Sequence, residues 1–271
     1  MLLLAVAPAA LLLKYVLVKD KYKHEPMRLI AFTFLLGALG IIPATIIEML
    51  LNSPMILIDA FLSTALVEES IKFLAVGAKA YRSPNFSEVM DGIVYGVAAG
   101  LGFATVENIF YVLGFGTIST AIVRAFLSVP SHAAYAGIMG FFLGVAKPYS
   151  NEISKGRERR LIMTGLTIAI ILHGLYDAIA FSLEGAAGLI GLLGMTLIGW
   201  IILLRLIKKA LALSPVRWGS PAALTAYQTY PIRFCTQCGT QREIGSRFCV
   251  SCGYAFPSSD TLTLDHPPSM S

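Results

Sequence analysis

Glu68, Glu69 and Lys72 stand in the stretch ALVEESIKFLAV, whose other members are apolar or small. Ionisable groups recur in three other apolar stretches: Glu107, beside Asn108, in FATVENIF; His132 in VPSHAAYAG; His173 and Asp177 in ILHGLYDAIAF. On a helix, Lys72 lies four residues from Glu68 and three from Glu69, so its ammonium can pair with either carboxylate. The adjacent glutamates diverge by about 100° around the helix. One glutamate can therefore pair with the lysine while the other works. Asp177 follows His173 by four residues, close enough to influence its ring or to hold a polar partner on another helix. Two imidazoles and one or two carboxylates around a buried, water-filled pocket make a divalent-metal set, most naturally zinc. Water on such a metal ionises near neutral pH, and a second glutamate can take its proton. That combination hydrolyses amides.

The elements that must position these groups are membrane helices. Hydrophobic residues make up 56% of the 271-residue chain and charged residues 14%, and the mean hydropathy is +0.73. These values exceed those of soluble domains and imply an integral membrane protein. A window of about 20 residues finds apolar segments near 2–18, 27–51, 57–78, 90–113, 121–146, 161–183 and 187–207. The expected fold is therefore all-α, a polytopic helical bundle of about seven spans. The first segment lacks the basic leading region of a signal peptide and is expected to be a retained helix.

Basic residues set the expected orientation. Lys19, Lys21, Lys23 and Arg28 lie in the first connection, Lys79 and Arg82 in the third, and Lys147, Lys155, Arg157, Arg159 and Arg160 in the fifth. The second, fourth and sixth connections hold none. Retention of positive charge on the cytoplasmic side places the N-terminus outside and the tail after Arg205, Lys208 and Lys209 in the cytoplasm. The net charge of +5 then reflects topology and attraction to anionic lipid. No interleaved aromatic and basic pattern suggests a nucleic-acid partner. By residue count, Glu68, Glu69, His132 and His173 fall near the midplane. Glu107 falls about 9 Å nearer the outer surface. Charged groups near the midplane cost about 2.5–3.5 kcal/mol each on an insertion scale, so they require a partner or a function.

Small residues recur every four positions at Gly92, Gly96 and Gly100 and at Ala136, Gly140 and Gly144. Such faces let helix backbones approach closely, and they are read as membrane packing. Beyond Ala212 the composition turns to Pro, Ser and Ala, as in a linker. All four cysteines follow, as two C-x-x-C pairs, Cys235 with Cys238 and Cys249 with Cys252. Gly239 and Gly253 follow the pairs and allow tight knuckles, so the expected site is a four-cysteine structural zinc ribbon whose folding depends on the metal. In a reducing cytoplasm, zinc is preferred over two disulfides. The stretch after the ribbon is expected to be disordered.

The motifs EESIK, FATVE, the histidine of SHAAYAG and HGLYD occur in that order, after HEPMRLIAFTFLLGALGIIPA. Together they resemble the PrsW family of intramembrane proteases, which belongs with the CAAX-prenyl-protease-like membrane proteins of the Abi type. The resemblance covers about residues 1–210. It implies metal-dependent cleavage of membrane-associated protein substrates, of which site-1-type processing of an anti-sigma factor is the best-known role in the family. The expected site then has Glu68 or Glu69 as general base or ligand and Lys72 holding the neighbouring carboxylate ionised. His132 and His173 would be metal ligands, and Glu107 and Asp177 ligands or supports. The expected division is a protease domain over 1–211, a linker over 212–233, a zinc ribbon over 234–256 and a tail over 257–271. The family pattern does not require the ribbon, whose expected role is structural or contact with a cytoplasmic protein partner. Two other classes meet some of these observations. A transporter also carries midplane charges, but no inverted repeat or paired broken helices are present. A non-enzymatic scaffold of the same fold has no need of adjacent carboxylates at the membrane centre.

Overall fold

A computed structural model describes residues 2–22, 24–115, 117–150, 155–213 and Cys252. Regular structure among the described residues is entirely helical. The helices are α1 (Leu2–Lys19), α2 (Met27–Leu39), α3 (Ile41–Leu51), α4 (Ile56–Ile58), α5 (Leu66–Ala78), α6 (Val89–Phe115), α7 (Ile118–Val123), α8 (Val129–Ala146), α9 (Lys155–Ser182) and α10 (Gly185–Ala212). Two π-helical segments, Asp59–Ala65 and Arg124–Ser128, lead directly into α5 and α8.

Among the described residues, five helical stretches are long and apolar enough to cross a membrane: Met27–Leu51, Val89–Gly114, Ile118–Ala146, Lys155–Ser182 and Gly185–Ala212. Large apolar side chains cover their outer surface, with Leu35 53%, Leu197 53% and Ile190 70% exposed. An apolar mantle of this kind is a lipid-facing surface, and closed helices satisfy the backbone inside it. The chain is a multi-pass membrane protein. Of the other two expected spans, the first is the single helix α1, and the third is a continuous helical run through α4, the first π segment and α5. The third carries Glu68, Glu69 and Lys72, all buried within the protein.

Helix α6 runs through the centre of the bundle, with Ile93, Val94, Tyr95, Val97, Ala98 and Leu101 fully buried. The two small-residue faces meet there. A Cβ at Gly92 would fall on the carbonyl oxygen of Gly140, and one at Gly96 on that of Ala136. Lipid tails are as apolar as the side chains, so close van der Waals contact of this kind, rather than burial from water, holds the helices together. The same seam runs on to Gly100, where an added Cβ would lie 2.8 Å from the carbonyl oxygen of His132. Packing between α6 and α8 therefore sets the position of the histidine.

The π segment before α8 has a covalent cause. Pro130 has no N–H to give the carbonyl four residues back, and its ring crowds that carbonyl, so the turn before it widens. Trp200 of α10 donates its indole N–H to the Pro130 carbonyl at 3.1 Å.

At one end of the bundle the third and fifth connections are tied together. Tyr81 donates to Glu158 at 2.6 Å, and Lys147 donates to the Tyr81 carbonyl. Burial, and then the Glu158 carboxylate, hold the Tyr81 phenol above its ordinary range. Burial lowers the Lys147 ammonium.

Candidate functional site

Helix α5 brings three charged side chains into the bundle. Lys72 and Glu69 are fully buried and Glu68 is 4% exposed. The Lys72 ammonium donates to Glu68 Oε2 at 2.9 Å and to Glu69 Oε1 at 2.7 Å. It also lies 2.8 Å from His132 Nδ1 and 4.6 Å from the centre of the Phe103 ring. The i+3 and i+4 spacing thus lets one cation serve both glutamates, where the sequence led us to expect one pair and one working carboxylate.

His173 comes from α9, where Gly174 leaves room for the Phe61 ring of the first π segment to pack against the backbone. Its Nδ1 lies 2.9 Å from Glu69 Oε1, and its Nε2 lies 3.3 Å from Asp177 Oδ2 and 3.9 Å from Glu68 Oε2. Asp177 therefore meets the histidine of its own helix. The two imidazole rings stand edge to face with centres 5.0 Å apart.

His132 Nε2 lies 3.0 Å from Glu107 Oε2, although residue counting puts the glutamate well above the histidine. Direction of the side chains closes the gap. Every Cα–Cβ bond tilts toward the N-terminus of its helix, and α6 and α8 are antiparallel, so the two side chains lean toward each other. Arg124, at the start of the second π segment, holds the far side of Glu107, with Nη2 2.9 Å from Oε1. The same guanidinium donates from Nε to Asn108 Oδ1 at 3.1 Å and stacks 3.7 Å from the centre of the Tyr111 ring.

These groups line a cavity of about 590 Å³. Glu68, Glu107, Arg124, His132, His173 and Asp177 face it, while Glu69 does not, and Ile41, Phe110, Phe181 and Leu192 supply apolar wall. Thr45, Thr64, Ser128, Ser131, Tyr135 and Tyr176 add hydroxyl groups to the lining, so the cavity can admit the water that a hydrolysis needs.

The donor set fits a divalent cation. One ligand atom each from Glu68, His132 and His173 lies within 4.8 Å of the others, and all three residues are buried. The Nδ1 contact of His173 with Glu69 is the usual support of a metal-binding imidazole, leaving Nε2 turned inward. Charge points the same way. Glu68 and Glu69 pair with Lys72 and Glu107 with Arg124, while Glu48 and Asp177 add two further carboxyl groups to the cavity wall, so acidic side chains outnumber the lysine and arginine there. The Lys72 ammonium already bridges Glu68 and His132, so those donors are arranged to hold positive charge.

Structure brings together every membrane-domain residue singled out in the sequence: Glu68, Glu69, Lys72, Glu107, His132, His173 and Asp177. It adds Arg124 and Glu48, both in the cavity wall and both absent from the sequence reading. Each is a charged residue inside an expected apolar span, the same signal that marked the others. Of the expected ribbon ligands, Cys235, Cys238 and Cys249 lie outside the described residues, with the linker and tail, and the described Cys252 is exposed.

Comparison with known proteins agrees with this geometry. A family model described as PrsW family intramembrane metalloprotease matches residues 25–207, a range that contains all seven site residues. "Protease PrsW" of Geobacillus kaustophilus (strain HTA426) is 38% identical over 209 residues, covering 76% of this chain and 89% of that protein. The protein of that name from Bacillus subtilis (strain 168) is 38% identical over 183 residues, 66% of this chain and 82% of its own. That from Clostridioides difficile (strain 630) is 31% identical over 218 residues, 76% and 90%. No solved structure matches the chain. With a multi-pass helical membrane domain, a buried cluster of carboxylates and imidazoles and relatives of this identity over most of their length, the chain is an intramembrane peptidase and belongs to the PrsW family.

Proposed function

We propose that the chain hydrolyses peptide bonds of membrane protein substrates with Glu68, His132 and His173 holding one divalent metal, zinc by donor type. The observation that carries this reading is the convergence of those three buried donors on the cavity. When bound, the metal supplies Lewis-acid polarisation of a carbonyl and lowers the pKa of water. The remaining residues divide the other tasks. Glu69 faces away from the cavity and fixes the His173 ring through Nδ1. Lys72 donates to both α5 carboxylates and holds them in place, and Glu107, itself held by Arg124, fixes the His132 ring.

Proton transfer falls to a carboxylate that faces the cavity and is not tied to a permanent cation. Glu68 is bound to Lys72 and Glu107 to Arg124. Asp177 and Glu48 have neither, and of the two Asp177 lies against a proposed ligand, its Oδ2 buried without a hydrogen bond 3.3 Å from His173 Nε2. Asp177 accordingly accepts a proton from the attacking water and returns it to the leaving amine, a role given in the sequence reading to Glu68 or Glu69.

Metal content and cleavage of a membrane substrate separate these roles. Serine replaces Cys235, Cys238, Cys249 and Cys252 so that the tail contributes no metal. Glu68→Gln, His132→Ala and His173→Ala should lose metal and turnover together. Asp177→Asn should keep metal and lose about 10²- to 10⁴-fold in kcat. Full metal occupancy in Glu68→Gln would refute the ligand set, and full activity in Asp177→Asn would move the proton acceptor elsewhere.

The finer topology belongs to the same proposal. We assign seven crossings, adding α1 and the helical run ending in α5 to the five long apolar stretches, with the N-terminus outside. The support is the absence of basic residues from the second, fourth and sixth connections. The protease domain then spans 1–211, and a linker leads to a cytoplasmic zinc ribbon at 234–256 that offers a surface to a protein partner. Cysteine-accessibility labelling at Ser119 and Ser150, on a background without native cysteines, tests the orientation. Labelling of Ser119→Cys from the inside alone would reverse it. The four-serine chain should bind one zinc fewer than the parent and still cleave.

A further inference from the structure

We propose that a groove between the start of α2 and the end of α5 binds the phosphodiester headgroup of an anionic phospholipid. It is separate from the catalytic cavity, shares no lining residue with it, and has a volume of about 630 Å³. Arg28, Lys79 and Arg82 line it, with Asn85, Leu29 and Phe32, and no carboxylate does among the described residues. None of the three cations forms an ion pair with another described residue. Lys79 rests instead over the Phe32 ring, 4.9 Å from its centre.

Three further features point to a lipid. Helix α2 opens at Pro26 with no side-chain cap, and Pro26, Arg28 and Leu29 line the groove, so the positive end of the helix dipole lies beside it and favours an anion. The groove lies where the apolar stretch Met27–Leu51 begins, at headgroup depth. From it an apolar strip descends along α2, with Phe32, Leu35 and Leu39 39%, 53% and 53% exposed at spacings of three and four residues. A soluble anion uses the cations but has no use for the strip. A phospholipid uses both, with its phosphate among the cations and an acyl chain on the α2 face. Basic pockets between helices at the membrane edge bind anionic headgroups in this way.

The test uses the full chain purified in detergent, with native mass spectrometry counting retained lipid after titration with phosphatidylglycerol or phosphatidylcholine. The parent should retain phosphatidylglycerol in preference to phosphatidylcholine. Each cation near an anionic headgroup is worth about fivefold, so Arg28→Gln/Lys79→Gln/Arg82→Gln should weaken retention on the order of 100-fold. A charge-matched control, Arg159→Gln/Arg160→Gln/Lys208→Gln, should bind as the parent does. Thermal unfolding in phosphatidylcholine nanodiscs, unchanged in both triple variants, separates lost binding from lost fold. Should the triple variant not fold, Arg82→Gln alone should still show about a fivefold loss. Equal weakening by both triple variants, or no preference for phosphatidylglycerol in the parent, would overturn the site. Displacement of the lipid by inorganic phosphate at equal concentration would assign the groove to a soluble anion and overturn the lipid.

Discussion

Cations occur in this bundle in two settings, and comparing them shows what depth demands of a charged group. Lys72 and Arg124 lie in the interior. Lys72 meets two carboxylates and an imidazole within 2.9 Å, and Arg124 meets Glu107, Asn108 and the face of Tyr111. Arg28, Lys79 and Arg82 lie at the edge, and no carboxylate among the described residues lines the groove they share. In the interior a charge without a partner has no water to fall back on, so each cation is matched by several acceptors. At the edge water and lipid headgroups serve as partners, so a cation can stand without a protein acceptor and remain available to a ligand. The interior set therefore supports the site's geometry, and the edge set offers affinity.

Removing an interior cation should break the comparison most visibly. Lys72→Met leaves Glu68 and Glu69 buried with no ammonium between them, and loss of one partner from a buried charge pair costs about 3–5 kcal/mol. The expected result is a lower unfolding temperature in detergent and a reduced folded yield, along with lost activity. A Lys72→Met protein as stable as the parent would mean that the glutamates had taken up protons or another cation, and that the lysine is not their necessary partner.

Part of this arrangement was legible in the sequence. Glu68, Glu69, Glu107, His132, His173 and Asp177 were visible because ionisable residues are rare in apolar spans, and i+3 and i+4 spacing put Lys72 within reach of either glutamate, though not that it would hold both at once. Arg124 carried the same signal but stands four residues inside its expected span, where it reads as the edge of a connection, and Glu48 stands near the end of another. Depth was legible only as a count of residues along straight helices. Counting separates Glu107 from His132, and it contains neither the opposite lean of side chains on antiparallel helices nor the widened turn that Pro130 imposes. The division of labour between Glu68 and Glu69 was also out of reach, because it depends on which of two adjacent carboxylates faces the cavity.

A smaller effect should follow from disturbing the seam that places His132. Gly92→Ala puts a methyl group on the Gly140 carbonyl, and overpacking of this kind costs about 1–3 kcal/mol. Gly77→Ala is the control, since nothing lies within 4 Å of a Cβ there. Unfolding temperature should fall for the first and hold or rise for the second. Equal temperatures would show that α6 and α8 can separate freely, and the seam could not then be what fixes the histidine.

Arg124 tests whether an interior cation acts through position rather than stability alone. It touches Glu107, and Glu107 touches His132, so Arg124→Gln should loosen the imidazole and lower metal affinity about 10- to 100-fold, as for other supports of metal ligands. Arg124→Lys keeps the charge and should recover part of that affinity while losing the paired contact with Asn108. Metal titration in the four-serine background reads this directly. A metal affinity unchanged in Arg124→Gln would confine the arginine to neutralising Glu107.

The smallest expected effect is at the edge. Arg82→Gln removes a charge that is exposed, lines the groove and forms no ion pair with a described residue. Surface substitutions without such ties change stability by less than about 0.5 kcal/mol, so unfolding in phosphatidylcholine should match the parent. Cleavage by the distant cavity should also be unchanged, because the two cavities share no lining residue. The edge set would then differ from the interior set in kind, since losing Arg82 would alter which lipid the protein holds and leave the fold and the reaction intact. A drop in stability close to that of Lys72→Met would instead show Arg82 to be part of the scaffold, and the distinction between the two settings would fail at that residue.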